Sequence, residues 1–294
     1  MNRDEFITEV IRSDVCPENF RESYNKFQDY QADVLRTLVE FHRVCEKNHI
    51  PYQLAFGSLL GAIRDGGQIP WDYDVDVMVP FDEKEHLIKS LTNDLDKNYY
   101  FYCPEVDCRC RHVIMRVAPI EYRTEVLHVD VFYVTGSPDD KAERNAFTSE
   151  LSEVTKVRVD RLINIKEEAM GNPRVFFSML IKRRIPSLFR SLNQANKRYN
   201  ELCNQYKYSD SQYCVLADRY AKDYIYPSKI MFKTQLYDAK YGTIRIPIEY
   251  DEILRHDYGD YMSIPPLNKR IEEFLHSYNR ITTFMKMNGK TNKL

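Results

Sequence analysis

No run of this 294-residue chain approaches the ~18 apolar residues that a membrane-spanning helix needs. Neither sign of charge dominates: 42 Lys and Arg stand against 44 Asp and Glu, a net charge of -2. The basic excess that carries non-specific nucleic-acid binding is therefore missing, no nucleic-acid partner is expected, and an anionic partner has to be met locally. The 7 cysteines are odd in number and irregular in spacing, and the opening MNRDEFITEV has no apolar signal core. A disulfide framework is not expected, and a cytoplasmic protein is. Cys103, Cys108 and Cys110, followed by His112, could in principle bind zinc, but they form no clean CxxC pair, and a small buried side chain is the commoner fate of a cytosolic cysteine. Glycine is scarce at 9 residues, whereas Tyr (22) and Phe (15) are plentiful. So many tyrosines suit half-wet surfaces such as sugar-binding clefts, although most tyrosine in any protein is packed.

A chain of this length holds one large domain or two modest ones. Apolar residues from Tyr24 to Cys45 recur at steps of three and four and predict an amphipathic helix, which ends before Pro51. Tyr52–Phe56 reads as a short strand, LLGAIR after Gly57-Ser58 as a helical turn, and the alternating run 74–79 as a second strand. Asp82 with Glu85 predicts a capping box opening a helix through about Leu95. NYYFYC, HVIMRVAP and HVDVFYV are strand candidates, and residues 139–159 are helical in pattern. The second half is expected to be mostly helical, with two strands around YDAKYG, a helix from Tyr250 to His256, a loop YGDYMSIPP and a helical tail from Asn268. Residues 174–192 carry Arg174, Lys182, Arg183, Arg184 and Arg190 with no acidic residue, interleaved with apolar side chains. The segment is expected to pack as a helical hairpin broken at Pro186; the alternative is peripheral contact with an anionic membrane on its inner face.

The motif GSLLGAIRDGGQIPWDYDVDV, Gly57 to Val77, carries the chemistry. Along a strand, Asp74 and Asp76 project to one face while Val75 and Val77 point to the core. Two like charges so placed need a compensating divalent cation or a ring of Arg and Lys. Mg²⁺ or Mn²⁺ suits such oxygen ligands, and Mg²⁺ typically takes one or two carboxylates together with substrate phosphates. Asp130, in LHVDVFYV, has the same apolar surroundings and on a neighbouring strand would complete a three-carboxylate site. A plainer reading of an isolated DxD is a solvated edge strand or a helix cap. Here, however, it follows Gly57-Ser58 between a strand and a helix, where backbone N–H groups can cradle phosphate, and Arg64 could add a bidentate contact. Trp71 offers an aromatic face for a quaternary ammonium, or else a packing anchor for the loop.

These residues resemble the LicD family, also called the LicD/fukutin-related family, whose fold is similar to polymerase-beta-type nucleotidyltransferases. The resemblance covers Gln31 to Val79, His128 to Tyr133 and Tyr250 to Pro266. It implies an α+β fold, a mixed sheet flanked by helices, with a catalytic core over residues 1–160 and a region 161–294 that completes the cleft and acceptor site. It also implies a phosphotransferase that moves phosphocholine, or a related phospho-alcohol such as phosphoribitol, from CDP-choline or another CDP-alcohol to a hydroxyl of a glycan or lipid-linked glycan precursor. Asp74 and Asp76 match the family's metal-binding pair, Asp72 the preceding acidic residue, Asp130 the third acidic position as metal ligand or proton acceptor, and Gly57 and Ser58 the phosphate-binding turn. Tyr73 stands where the motif is often acidic, so that position is not essential to the metal site. Two rival readings use the same residues: a nucleotidyltransferase that consumes an NTP and releases pyrophosphate, and a non-catalytic glycan-binding or membrane-adaptor protein.

Overall fold

The computed structural model describes residues 1–121, 126–169 and 171–288. Helices α1 (Arg3–Ile11) and α2 (Phe20–Lys47) lead into β1 (Gln53–Leu54) and α3 (Phe56–Leu60), which runs on as a π-helical turn, Gly61–Asp65. Then come β2 (Val75–Pro80), α4 (Lys84–Asp94), β3 (Tyr99–Tyr102), β4 (Met115–Pro119) and β5 (Val129–Ser137). Helices α5 (Lys141–Leu162), α6 (Ile165–Glu168) and α7 (Pro173–Met179) follow, then a second π-helical turn (Leu180–Arg184), α8 (Ile185–Leu188) and α9 (Leu192–Gln205). The chain ends with β6 (Tyr213–Leu216), β7 (Ile225–Pro227), the hairpin β8 (Thr234–Ala239) and β9 (Gly242–Pro247), α10 (Tyr250–Tyr258) and α11 (Leu267–Asn288).

One mixed sheet runs in the order β1-β2-β5-β4-β3. β2 and β5 are parallel, with Val75 opposite Val129 and Asp76 opposite Asp130; the other pairs are antiparallel. β5 is long enough to change partners. Its first residues pair with β4, and Val134 to Ser137 pair with β6, which in turn holds β7. The sheet therefore takes strands from both sides of residue 160, and its buried neighbours form one cluster from Phe6 to Ile281.

Of the periodic set Phe27, Tyr30, Val34, Leu38, Phe41 and Cys45, α2 buries all but Tyr30, which is half-buried. The Asp82 capping box does not form. A 3-10 turn, Phe81–Glu83, intervenes, and α4 starts without a side-chain cap. Asp140 caps α5 instead, accepting from the N–H groups of Ala142 and Glu143. Nor is the helical run from Pro173 to Leu188 broken at Pro186. The π-helical turn just before it has already shifted the hydrogen-bond register, and Pro186 sits in the first turn of α8, where a missing N–H costs little.

The abundant aromatics are mostly structural. Phe6, Phe20, Tyr24, Phe27 and Phe274 make a cluster with ring centroids 5.2 to 6.2 Å apart, joining α1, α2 and α11. Glu9 and Arg270 close the same contact with an ion pair at 2.7 Å. The two ends of the described chain are thus tied together beside the loop that carries the aspartates.

Candidate active site

The loop before β2 is fixed from behind by α2. The Tyr24 hydroxyl donates to the Pro70 carbonyl at 2.9 Å, and the buried Gln31 amide donates to the carbonyls of Ile69 (3.2 Å) and Asp72 (2.5 Å). Trp71 is only 3% exposed, with the Phe6 ring 5.3 Å away and the guanidinium carbons of Arg270 and Arg64 at 5.4 and 5.8 Å. These contacts bury most of the indole beside Asp72, and Trp71 is also among the residues that line the adjoining cavity.

On the other side, Phe56 turns the chain out of β1 with φ of 45°, a left-handed conformation uncommon outside glycine. Rings of Phe132 and Tyr224, at 5.3 and 4.7 Å, hold it there. Gly57 then meets the acidic loop so closely that a Cβ on it would lie 3.2 Å from Asp72 Oδ2. Ser58 Oγ accepts the N–H of Asp76 at 2.8 Å, which locks the start of β2 to α3 and occupies one lone pair of the hydroxyl. Arg64 is committed to Asp65, Nη2 to Oδ2 at 2.8 Å.

Asp72, Asp74 and Asp76 come together at the junction of two cavities. One, of about 900 Å³, is lined by Gly57, Asp72, Asp74, Tyr258, Asp260 and Arg280; the loop YGDYMSIPP thus reaches the acidic residues. The other, of about 480 Å³, is lined by Asp74, Asp76, Asp130, Arg116, Asp218 and Arg280, with Arg111, Arg183 and Arg219 beyond them. Asp74 and Arg280 belong to both, so the two are lobes of one cleft.

Charge is unevenly balanced within it. Against a burial that would raise it, Arg116 and His128 hold the Asp130 carboxyl well below the usual range: Arg116 Nε lies at 2.7 Å and His128 Nε2 at 3.2 Å. Burial also keeps His128 toward its neutral form. Asp72 and Asp76 go the other way. Burial and then the Asp74 charge push both well above the usual carboxylate range; Asp130 adds to the effect on Asp76, with Arg116 only partly opposing it. Among the described residues no three His, Cys, Asp or Glu side chains are gathered as a ready-made metal site. Asp130 lies against Arg116, and Cys103, Cys108 and Cys110 are free thiols. Asp72, Asp74 and Asp76 are likewise not gathered into a closed site, but they offer only carboxylate oxygens, two of the acids raised by burial and by neighbouring charge, and such donors suit a hard divalent ion that takes the rest of its shell from water and substrate oxygens.

Several cleft residues escaped the sequence reading. Asp218, just past β6, is buried and accepts the Arg219 N–H at 2.5 Å. Burial, against that bond and the Arg219 charge, pushes its carboxyl up to about 6. Its context, VLADRY, is an apolar run broken by one acid, the same signal that singled out Asp130. Arg280, on α11, makes no ion pair among the described residues. Nothing local marks it, because only the packing of α11 brings it to the cleft.

Residues 49–154 match the family described as LicD/FKTN/FKRP, nucleotidyltransferase domain. The chain is 25% identical over 253 residues to the lipopolysaccharide cholinephosphotransferase LicD of Haemophilus influenzae, spanning 81% of this chain and 92% of that protein. Uncharacterized proteins of Rickettsia prowazekii and Rickettsia typhi are 41% and 31% identical over 78 residues, 26% of this chain and 28% and 24% of theirs. Strands β2 and β5, which set Asp76 and Asp130 side by side, lie within the residues that match the LicD/FKTN/FKRP nucleotidyltransferase domain.

Proposed function

We propose that this protein is a phosphotransferase that moves phosphocholine, or a related phospho-alcohol, from a CDP-linked donor to a hydroxyl of a cell-surface glycan precursor. The observation that carries the reading is the electrostatic contrast within one cleft: carboxylates short of cations at Asp72, Asp74 and Asp76 face guanidinium groups at Arg116, Arg219 and Arg280. A pyrophosphate bound through a divalent cation complements both halves. The similarity to a lipopolysaccharide cholinephosphotransferase over most of both chains supports the choice of phosphocholine and of a glycan acceptor.

Asp74 and Asp76, with Asp72 behind them, would hold Mg²⁺ or Mn²⁺, which when bound offsets charge on phosphate oxygens. Arg280, open to both lobes, orients the donor phosphates where the lobes meet. Gly57 lets donor atoms approach the turn at the start of α3. Asp130 keeps its charge and fixes Arg116 on the cleft wall, which makes it a weak proton acceptor. Asp218, at about 6, is matched to taking the proton of the attacking hydroxyl near neutral pH. The larger lobe, walled by the loop after α10, has room for the alcohol or the acceptor.

Thermal unfolding tests the reading. The protein is heated with Mg²⁺ and, separately, CDP-choline, CDP-ribitol, CDP-glycerol or CTP. A ligand at about 100 times its Kd adds about 2.7 kcal/mol of stability. A metal-dependent shift with one CDP-alcohol is expected. A shift with CTP alone would reassign the site to nucleotidyl transfer, and no shift with any of them would overturn the proposal.

A further inference from the structure

The segment from Pro173 to Leu188 buries almost nothing. None of the residues of α7 or of the following π-helical turn is buried, and in α8 only Ser187 is. Instead Phe177, Ile181, Ile185 and Leu188, at helical steps of four, four and three, lie 58%, 62%, 43% and 51% exposed, and Phe189 at the end is 86% exposed. Isolated exposed apolar residues are ordinary, but a continuous stripe along one helical run marks an interaction surface. The packing expected from the sequence is made largely by basic side chains that turn to the body of the protein: Arg183 reaches Asp160 at 2.6 Å and Arg184 donates to the Ile163 carbonyl.

The rim of the stripe has one sign of charge. From residue 173 to 192 there are five basic residues and no acidic one. Arg183, Arg184 and Arg190 are engaged by the body of the protein, Arg190 by Glu153 at 2.7 Å. Arg174 and Lys182 are exposed and make no ion pair among the described residues. A second copy seated on the stripe by two-fold symmetry would set these cations against their own kind. Among the described residues no helix is long and apolar enough to cross a membrane. We infer that the exposed face of residues 174–189 docks flat on an anionic lipid surface, with Phe177, Ile181, Leu188 and Phe189 entering the headgroup boundary and Arg174 and Lys182 meeting the lipid charge. Arg183, on the same run, lines the smaller lobe of the cleft, so docking places the cleft beside the lipid surface. The inference does not depend on the identity of the donor.

Co-sedimentation of the whole chain with vesicles tests it, using phosphatidylcholine alone and phosphatidylcholine mixed with phosphatidylglycerol. The protein is expected to pellet with the mixed vesicles, and less so as salt rises. Phe177→Ser, Ile181→Ser and Phe189→Ser combined should weaken binding at least about tenfold without lowering the melting temperature, since these side chains are exposed. Arg174→Glu with Lys182→Glu should remove the preference for anionic vesicles. Failure of the unmodified protein to pellet with mixed vesicles would overturn the inference. So would unchanged pelleting of the triple variant, or a dimer in light scattering that the triple variant dissolves in the absence of lipid. Thermal shifts with CDP-alcohols should be the same in all variants, which separates this test from that of the proposed reaction.

Discussion

Asp76 and Asp130 stand opposite each other on the parallel strands β2 and β5, yet only Asp130 has a guanidinium in contact, Arg116 Nε at 2.7 Å. The pair is largely buried, with side-chain exposures of 8% and 15%. Removing one partner of a buried ion pair leaves an uncompensated charge and costs about 3–5 kcal/mol. Arg116→Met is expected to destabilise the protein by that order in urea denaturation, and Asp130→Asn by less, because the neutral amide can still accept from Arg116.

Asp76 presents the opposite case. Its carboxyl is disfavoured in the metal-free cleft by burial and by Asp74 and Asp130. Asp76→Asn is expected to stabilise the metal-free protein at neutral pH, while transfer falls at least about 100-fold. Melting curves and turnover with CDP-choline check both halves, and full activity in the variant would remove Asp76 from the site. Asp74→Asn is expected to lose activity with the fold intact.

Asp218 predicts a pH dependence. Its folded value, about 6, lies above the usual 3.8, so the native state binds the proton more tightly than the unfolded chain. Its contribution to stability is therefore fully present below about pH 4 and is lost as pH rises through about 6, a fall on the order of 2–3 kcal/mol. Asp218→Asn should abolish that fall. The same variant should lower kcat and remove an acid limb of the rate profile near pH 6. An unchanged profile would assign proton transfer elsewhere.

Trp71→Leu separates anchor from ammonium cage. Loss of the indole from its packed position is expected to cost about 2–3 kcal/mol of stability. Binding of CDP-choline, CDP-ribitol and CDP-glycerol should weaken alike, because Asp72 loosens for all of them. A loss confined to the choline donor would show that the ring touches the substrate.

The parts of the fold that were legible in the sequence are those set by local periodicity. α2 follows the three-four pattern because it buries one side against the core, and β2 keeps its two-residue alternation only over Val75, Asp76 and Val77, before Met78 to Pro80 are buried on both faces. The spacing of Asp74 and Asp76 was legible for the same reason. β6 and β7 were not: they are four and three residues long, and what makes them strands is the far end of β5. The Asp82 capping box failed because a 3-10 turn placed the helix start one residue later, with Glu83 at the cap position. Gly61, by contrast, reads as an ordinary helical residue. Only the structure shows that a Cβ there would lie 2.6 Å from the Gly67 carbonyl oxygen, which ties the tight return of the chain to that glycine. Arg280 was missed because only the packing of α11 brings it to the cleft, whereas Asp218 carried a local signal that was passed over, one acid in the apolar run VLADRY.

The placement of Arg280 also bears on how the protein is made. Synthesis runs from the N-terminus, so α3, β2 and β5 emerge with their carboxylates long before α11 does. Until then the cleft lacks the cation shared by its two lobes, and the aromatic cluster around Trp71 lacks Phe274. A nascent chain still on the ribosome thus carries the acidic pair without the arginine that completes the cleft. Assembly of the cleft is a late, long-range event in folding, and binding of the proposed donor is expected to report whether α11 has docked.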